Sequence, residues 1–187
     1  MALGKEDWIF SGFRALAKGG HAAIRVEALA RELGATKGSF YWHFKDQAAL
    51  KGAMLEAWKS QATDEIIGAL TEIVGPRERL EALALAASAP PAESFGGSEA
   101  ETAIREWGRY DPAVKQVVDS VDDRRLEFTT KLFSQLGLTQ ARTRASLFYA
   151  AYVGLLHRGA LPHPVTGERL LDFAKLLTSQ PSGPTSL

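Results

Sequence analysis

From Thr36 to Phe44 the chain reads Thr-Lys-Gly-Ser-Phe-Tyr-Trp-His-Phe, which gathers hydroxyl, cationic and aromatic side chains in one short stretch. Hydroxyls and lysine suit phosphate oxygens, while Tyr41, Trp42 and His43 can reach phosphates, thymine methyls or base edges. Gly38 lets a backbone come close, and the amides that open a helix here favour an anion. Arg25 and Lys45 add a full charge on either side. Together these residues suit duplex DNA, and the predicted contacts are Arg25, Thr36, Lys37, Gly38, Ser39, Tyr41, Trp42, His43 and Lys45. The aromatic run is too dense for a solvated face. Phe40 and Phe44 are expected to point inward. Lys37, Ser39, Tyr41 and His43 are expected to point outward, and Trp42 fits either side.

Such a helix must be held by a second one. Val26 to Leu33 reads as a short helix that stops at Gly34, and Thr36 can cap the next because its hydroxyl accepts from a first-turn amide. Ala30 lies four residues before Gly34 and Phe40 six after it. A helix-turn-helix needs a small residue at the helix crossing, a glycine in the turn and an apolar residue that docks the second helix on the first. Trp8, Ile9, Phe13, Leu16 and Ala17 form the stripe of a preceding helix that Gly19-Gly20 ends.

The stretch from Trp8 to Leu55, and above all Gly34-Ala35-Thr36-Lys37-Gly38-Ser39-Phe40-Tyr41-Trp42-His43-Phe44, resembles the TetR family of bacterial transcriptional regulators. That family's motif reads close to Gly-Val-Ser-Lys-Gly-Thr-Leu-Tyr-His-His-Phe. Two departures stand out. Ile24-Arg25 occupies the place where the family often has Thr with Ser or Thr, so a cap is lost and Arg25 can supply the phosphate contact. His21 stands where an aromatic is usual after the glycine of the first helix.

The remainder also reads as helix, with apolar residues at three- and four-residue spacing. Expected helices are 46–61, 63–74, 77–89, 99–108, 112–136, 139–159 (capped by Thr139) and 167–178. They are separated by Gly75-Pro76, by a loop over 89–98, by Asp111-Pro112, by Gly137, and by Pro162 and Pro164. Pro181–Leu187 reads as a frayed tail. The fold class is all-α with about nine to ten helices. Residues 1–60 form a three-helix DNA-binding domain, and residues 61–187 a helical ligand-binding and dimerisation domain.

The resemblance implies a homodimer built from the last two major helices, a palindromic operator and a small-molecule effector of unknown identity. The interface candidates are Val117, Val121, Phe128, Leu147, Ala150, Ala151 and Gly154. The pocket candidates are Trp58, Phe95, Trp107, Tyr110, Phe128, Phe148, Tyr152 and His157, although aromatics at this spacing also serve as plain core. Arg105 and Arg109, one turn apart, can meet an anionic ligand or pair with Glu101 and Glu106. Asp122-Asp123 reads as solvent-facing.

The charge distribution fits one DNA-facing module. The chain has 22 basic and 22 acidic residues, yet residues 1–59 hold nine Lys/Arg against six Asp/Glu, which leaves the first third at +3. With no cysteine, disulfides and thiolate metal sites are excluded. No signal peptide or membrane-spanning run is evident, so a cytoplasmic protein is expected.

An enzyme and a purely structural helical adaptor are the rival classes. No P-loop, dinucleotide-binding glycine pattern, nucleophile elbow or His-Glu-x-x-His occurs. His21, His43, His157 and His163 are scattered, so neither a metal nor a cofactor is expected. A helical small-molecule-binding protein or enzyme without a DNA role is the alternative reading, while the Lys37–His43 cluster argues against the structural adaptor, because a protein-only surface gains nothing from that chemistry.

Overall fold

A computed structural model of the chain describes residues 3–87, 99–158 and 163–179. Among these, all regular structure is helical. The α-helices are α1 (Lys5–Gly19), α2 (Val26–Glu32), α3 (Lys37–His43), α4 (Gln47–Lys59), α5 (Glu65–Thr71), α6 (Pro76–Ala86), α7 (Glu99–Gly108), α8 (Pro112–Gln135), α9 (Ala141–Arg158) and α10 (His163–Thr178). A short 3₁₀ turn covers His21–Ala23, and a π turn covers Ser60–Asp64. The expected loop over 89–98 and the expected tail 181–187 lie wholly outside the described residues.

The chain divides into two compact units. One contains the described residues of 1–65 and 90–122, and the other those of 66–89 and 123–187. These packing units cut across the division expected at 60/61, because α7 and the first half of α8 belong with the helix-turn-helix.

In the first unit, α1 begins where the Gly4 amide donates to Asp7 Oδ2 at 2.7 Å, with Glu6 and Asp7 complementing the helix dipole. It ends where Gly20, at φ +66°, donates its amide to the Leu16 carbonyl. Its buried stripe of Trp8, Phe13 and Leu16 joins Ile24, Leu29, Phe40 and Leu50 in one core. The α1–α4 contact is close at Gly12, where a Cβ would stand 2.6 Å from Met54 Sδ. The core continues through Ile104 and Trp107 of α7 and Val114, Val118 and Val121 of α8. In the second unit, α10 packs on α6 and α9 around Leu80, Ala84, Leu132, Phe133, Ala145, Phe148, Leu170 and Ala174.

Three boundaries depart from expectation. The helical path does not break near residue 62, because the π turn links α4 to α5. Its buried residues Trp58 and Thr63 are five apart, a spacing that an i→i+5 turn brings into phase and an α-turn does not. The start of α9 falls at Ala141 rather than next to Thr139, with Gln140 at φ +57° before it. Finally, α10 starts at His163 rather than 167, since Pro164 is tolerated in a first turn. No helix among the described residues is long and apolar enough to cross a membrane.

Candidate nucleic-acid interface

The two-helix motif is built by a turn in which Gly34 sits at φ +61°, a left-handed conformation that suits glycine. The Ala35 amide then donates to the Ala30 carbonyl at 2.8 Å. Thr36 caps α3, its hydroxyl accepting from the Ser39 amide at 3.2 Å. Arg25 precedes α2 in extended conformation and makes no side-chain cap, so its exposed guanidinium is available to an outside partner. Gln47, in the first turn of α4, donates from its side chain to the Ile24 carbonyl, which ties α4 to the approach to α2.

The face assignment of α3 follows from its core. Phe40 is fully buried and meets the Trp8 indole edge to face, with centroids 5.3 Å apart. It also stacks on Phe44 at 5.5 Å, and Lys5 Nζ lies 5.6 Å from the centre of the Phe44 ring. With Phe40 inward, Tyr41 is 58% exposed and Trp42 85% exposed. Trp42 therefore points outward, which resolves the one residue whose side the sequence left open. Thr36, Lys37, Gly38 and Lys45 are exposed, and Ser39 is half-buried.

Two of the predicted contacts are already engaged within the chain. Lys37 Nζ lies 2.6 Å from Glu27 Oε1 of α2. The Lys37 hydrogen bond is the main cause that holds the Glu27 carboxyl below its usual range, and the same bond raises Lys37. His43 is half-buried, and its Nε2 donates to the Leu3 carbonyl at 3.1 Å, so the ring fastens the start of the chain to the end of α3. Sequence reasoning missed both. An i,i+10 pair across a turn has no periodic signature, and the Leu3 contact spans forty residues.

The aromatics proposed for a pocket scatter. Trp58 and Trp107 are buried in the first unit's core, where Trp107 faces the His21 ring (6.1 Å, 11° between planes) and Lys51 Nζ (5.2 Å). Phe148 is buried in the second unit's core, with Phe128 and Tyr152 half-buried against it. Two of these candidates are exposed. Tyr110 is 74% exposed, because α7 ends at Gly108 and the helical phase from Trp107 is lost. His157 is exposed and donates from Nδ1 to the Val153 carbonyl, on the face of Ala150 and Gly154 rather than that of Phe148. Phe95 lies outside the described residues.

The interface candidates divide as well. Leu147, Ala150 and Gly154 form an outward stripe on α9, and Ala151 is half-buried. Val121 is 1% exposed, and Val117 is half-buried against the first unit's core. Arg105 pairs with Glu101 as the spacing allowed. It also makes a two-pronged contact with Asp122 (3.1 and 2.8 Å), which draws that carboxylate out of its expected solvent position. Arg109 faces Glu106 at 3.7 Å.

Residues 11–54 match the family model described as bacterial regulatory proteins, tetR family. Three solved structures share the fold. A TetR-family transcriptional regulator from Streptomyces coelicolor is 19% identical, with 92% of each chain covered and a TM-score of 0.76. A TetR transcription regulator from Haloarcula marismortui is 16% identical, covering 92% of this chain and 96% of that one, with a TM-score of 0.75. A protein from Saccharomonospora viridis, in complex with choline, is 18% identical, covering 91% and 95%, with a TM-score of 0.78. Among curated proteins none matches the chain's sequence.

Proposed function

We propose that this chain, a DNA-binding transcriptional regulator of the TetR family by its residues 11–54 and its fold, binds a palindromic operator as a homodimer and releases it when a small molecule binds. The observation that carries the DNA-binding face is the outward side of α3, where a lysine, an exposed tyrosine and a largely bare tryptophan stand above a fully buried Phe40. A protein keeps a tryptophan at 85% exposure at a cost, which contact with a partner removes.

A dimer follows from how DNA is read. Two recognition helices about 34–36 Å apart address half-sites one helical turn apart. The apolar outward stripe Leu147, Ala150 and Gly154 supports α9 as part of the self-contact, since small residues let helices approach. Effector binding belongs to residues 61–187, with Phe128, Phe148 and Tyr152 as candidates for the lining. Movement of the helix over 46–61 then changes recognition-helix spacing, with a coupling of about 1–3 kcal/mol. The choline held by the Saccharomonospora viridis protein makes a small organic cation a sensible first probe. Repression as the sign and the cytoplasm as the compartment belong to the same proposal and rest on the family resemblance.

The decisive test is selection of duplexes from a randomised pool. The expected result is an enriched palindrome, with binding lost on Lys37→Ala/Tyr41→Ala while the dimer persists in light scattering. Recovery of no sequence, or unchanged affinity of the double variant, overturns the assignment.

A further inference from the structure

Lys37 carries the only full positive charge of a Lys or Arg within α3, and it already has a partner. Its ammonium touches the Glu27 carboxylate at 2.6 Å, and the two side chains are 57% and 60% exposed. The pair therefore sits on the solvent side of the helix-turn-helix. Glu27 lies in the first turn of α2, two residues after the exposed Arg25. Its proton affinity is lowered first by the lysine and also by Arg25, so at neutral pH it is a full negative charge among the cations meant for DNA.

We infer that Glu27 is a specificity-determining residue: it occupies Lys37 in the free protein, so that only a phosphate or base edge fixed in direct contact takes the lysine over. The inference rests on the DNA-binding reading above. Non-specific association is driven by cations placed loosely along the phosphate backbone. A carboxylate in direct contact with Lys37 outcompetes a phosphate still separated from it by water and salt, because screened attraction decays over about 8–10 Å. When α3 is seated in its cognate groove, the phosphate position is fixed and the exchange of partners is possible. Glu27 thus withholds one cation from unrelated DNA while leaving it usable on the operator.

The test is a salt titration with a fluorescein-labelled duplex of mixed sequence, measured by anisotropy on the wild-type chain, Glu27→Gln, Lys37→Gln and the double variant. Circular dichroism confirms that each is folded. Glu27→Gln is expected to raise affinity for this duplex about two- to fivefold, as for release of an exposed ion pair. It is also expected to steepen the salt slope by about 0.9, one released counterion. On a duplex selected from a randomised pool the gain is smaller, and in the Lys37→Gln background it vanishes. An unchanged slope in Glu27→Gln overturns the inference and leaves DNA binding standing. An equal gain in the Lys37→Gln background also overturns it, because the effect then comes from bulk charge. Wild-type binding that is insensitive to salt overturns the DNA-binding reading, and the inference with it.

Discussion

The Phe40 ring stands edge-on to the Trp8 indole, 5.3 Å between centroids and 75° between planes. This pair fixes the rotation of α3 against α1. With Phe40 inward, Tyr41 and Trp42 have nowhere to go but out.

Removing the Phe40 ring leaves a cavity between Trp8 and Phe44. Phe40→Ala is expected to destabilise the chain by about 3–5 kcal/mol, read as a lower urea midpoint. A loss below ~1 kcal/mol would show that α3 is not anchored by this residue.

Gly38 is exposed, and a Cβ added there meets only the Thr36 hydroxyl oxygen at 3.6 Å, an ordinary contact. The protein itself therefore does not require glycine here. Gly38→Ala is expected to raise stability by up to about 0.5–1 kcal/mol through a better helix former. Duplex affinity is expected to fall, because the methyl group keeps the backbone off the phosphates. Wild-type affinity in the variant would mean that α3 does not approach DNA along this edge.

Arg105 is 11% exposed and serves both Glu101 (11%) and Asp122 (32%). Arg105→Leu removes the cation that both carboxylates contact, and the expected loss is about 3–5 kcal/mol in urea unfolding. The triple change Arg105→Leu/Glu101→Leu/Asp122→Leu is expected to recover most of it, because buried ion triads are often replaceable by apolar groups. A triple variant as unstable as the single one would locate the defect in packing instead.

The Glu27–Lys37 pair has a defined pH window. Glu27 titrates below its usual 4.5, so its contribution is present above 4.5 and disappears as pH falls through the lowered value. Lys37 titrates above its usual 10.5, so its contribution is present below 10.5 and disappears as pH rises through the raised value. The stability difference between wild type and Glu27→Gln is expected to be constant between those limits and to shrink in acid. Glu127, lowered by its Lys131 partner, adds a second acid-labile pair. A difference that varies through neutral pH would point to another titrating group.

The sequence by itself determined the class and the helix proposed to face DNA. Period 3.6 and the Gly/Pro breaks give an all-helical chain, and Ala30, Gly34 and Phe40 give the turn, because these are local demands of backbone geometry and docking. Exposed Arg25, Thr36, Lys37 and Tyr41 follow from the same local phase. Contacts between residues far apart in sequence were decided by tertiary structure alone. The fastening of His43 to Leu3, the engagement of Lys37 by Glu27, the burial of Val121 in the first unit's core, and the capture of Asp122 by Arg105 leave no periodic trace. A hydrophobic stripe shows that a helix face is buried, but not what buries it. A charge shows a need for water or a partner, and which of the two it finds depends on elements that arrive from elsewhere in the chain.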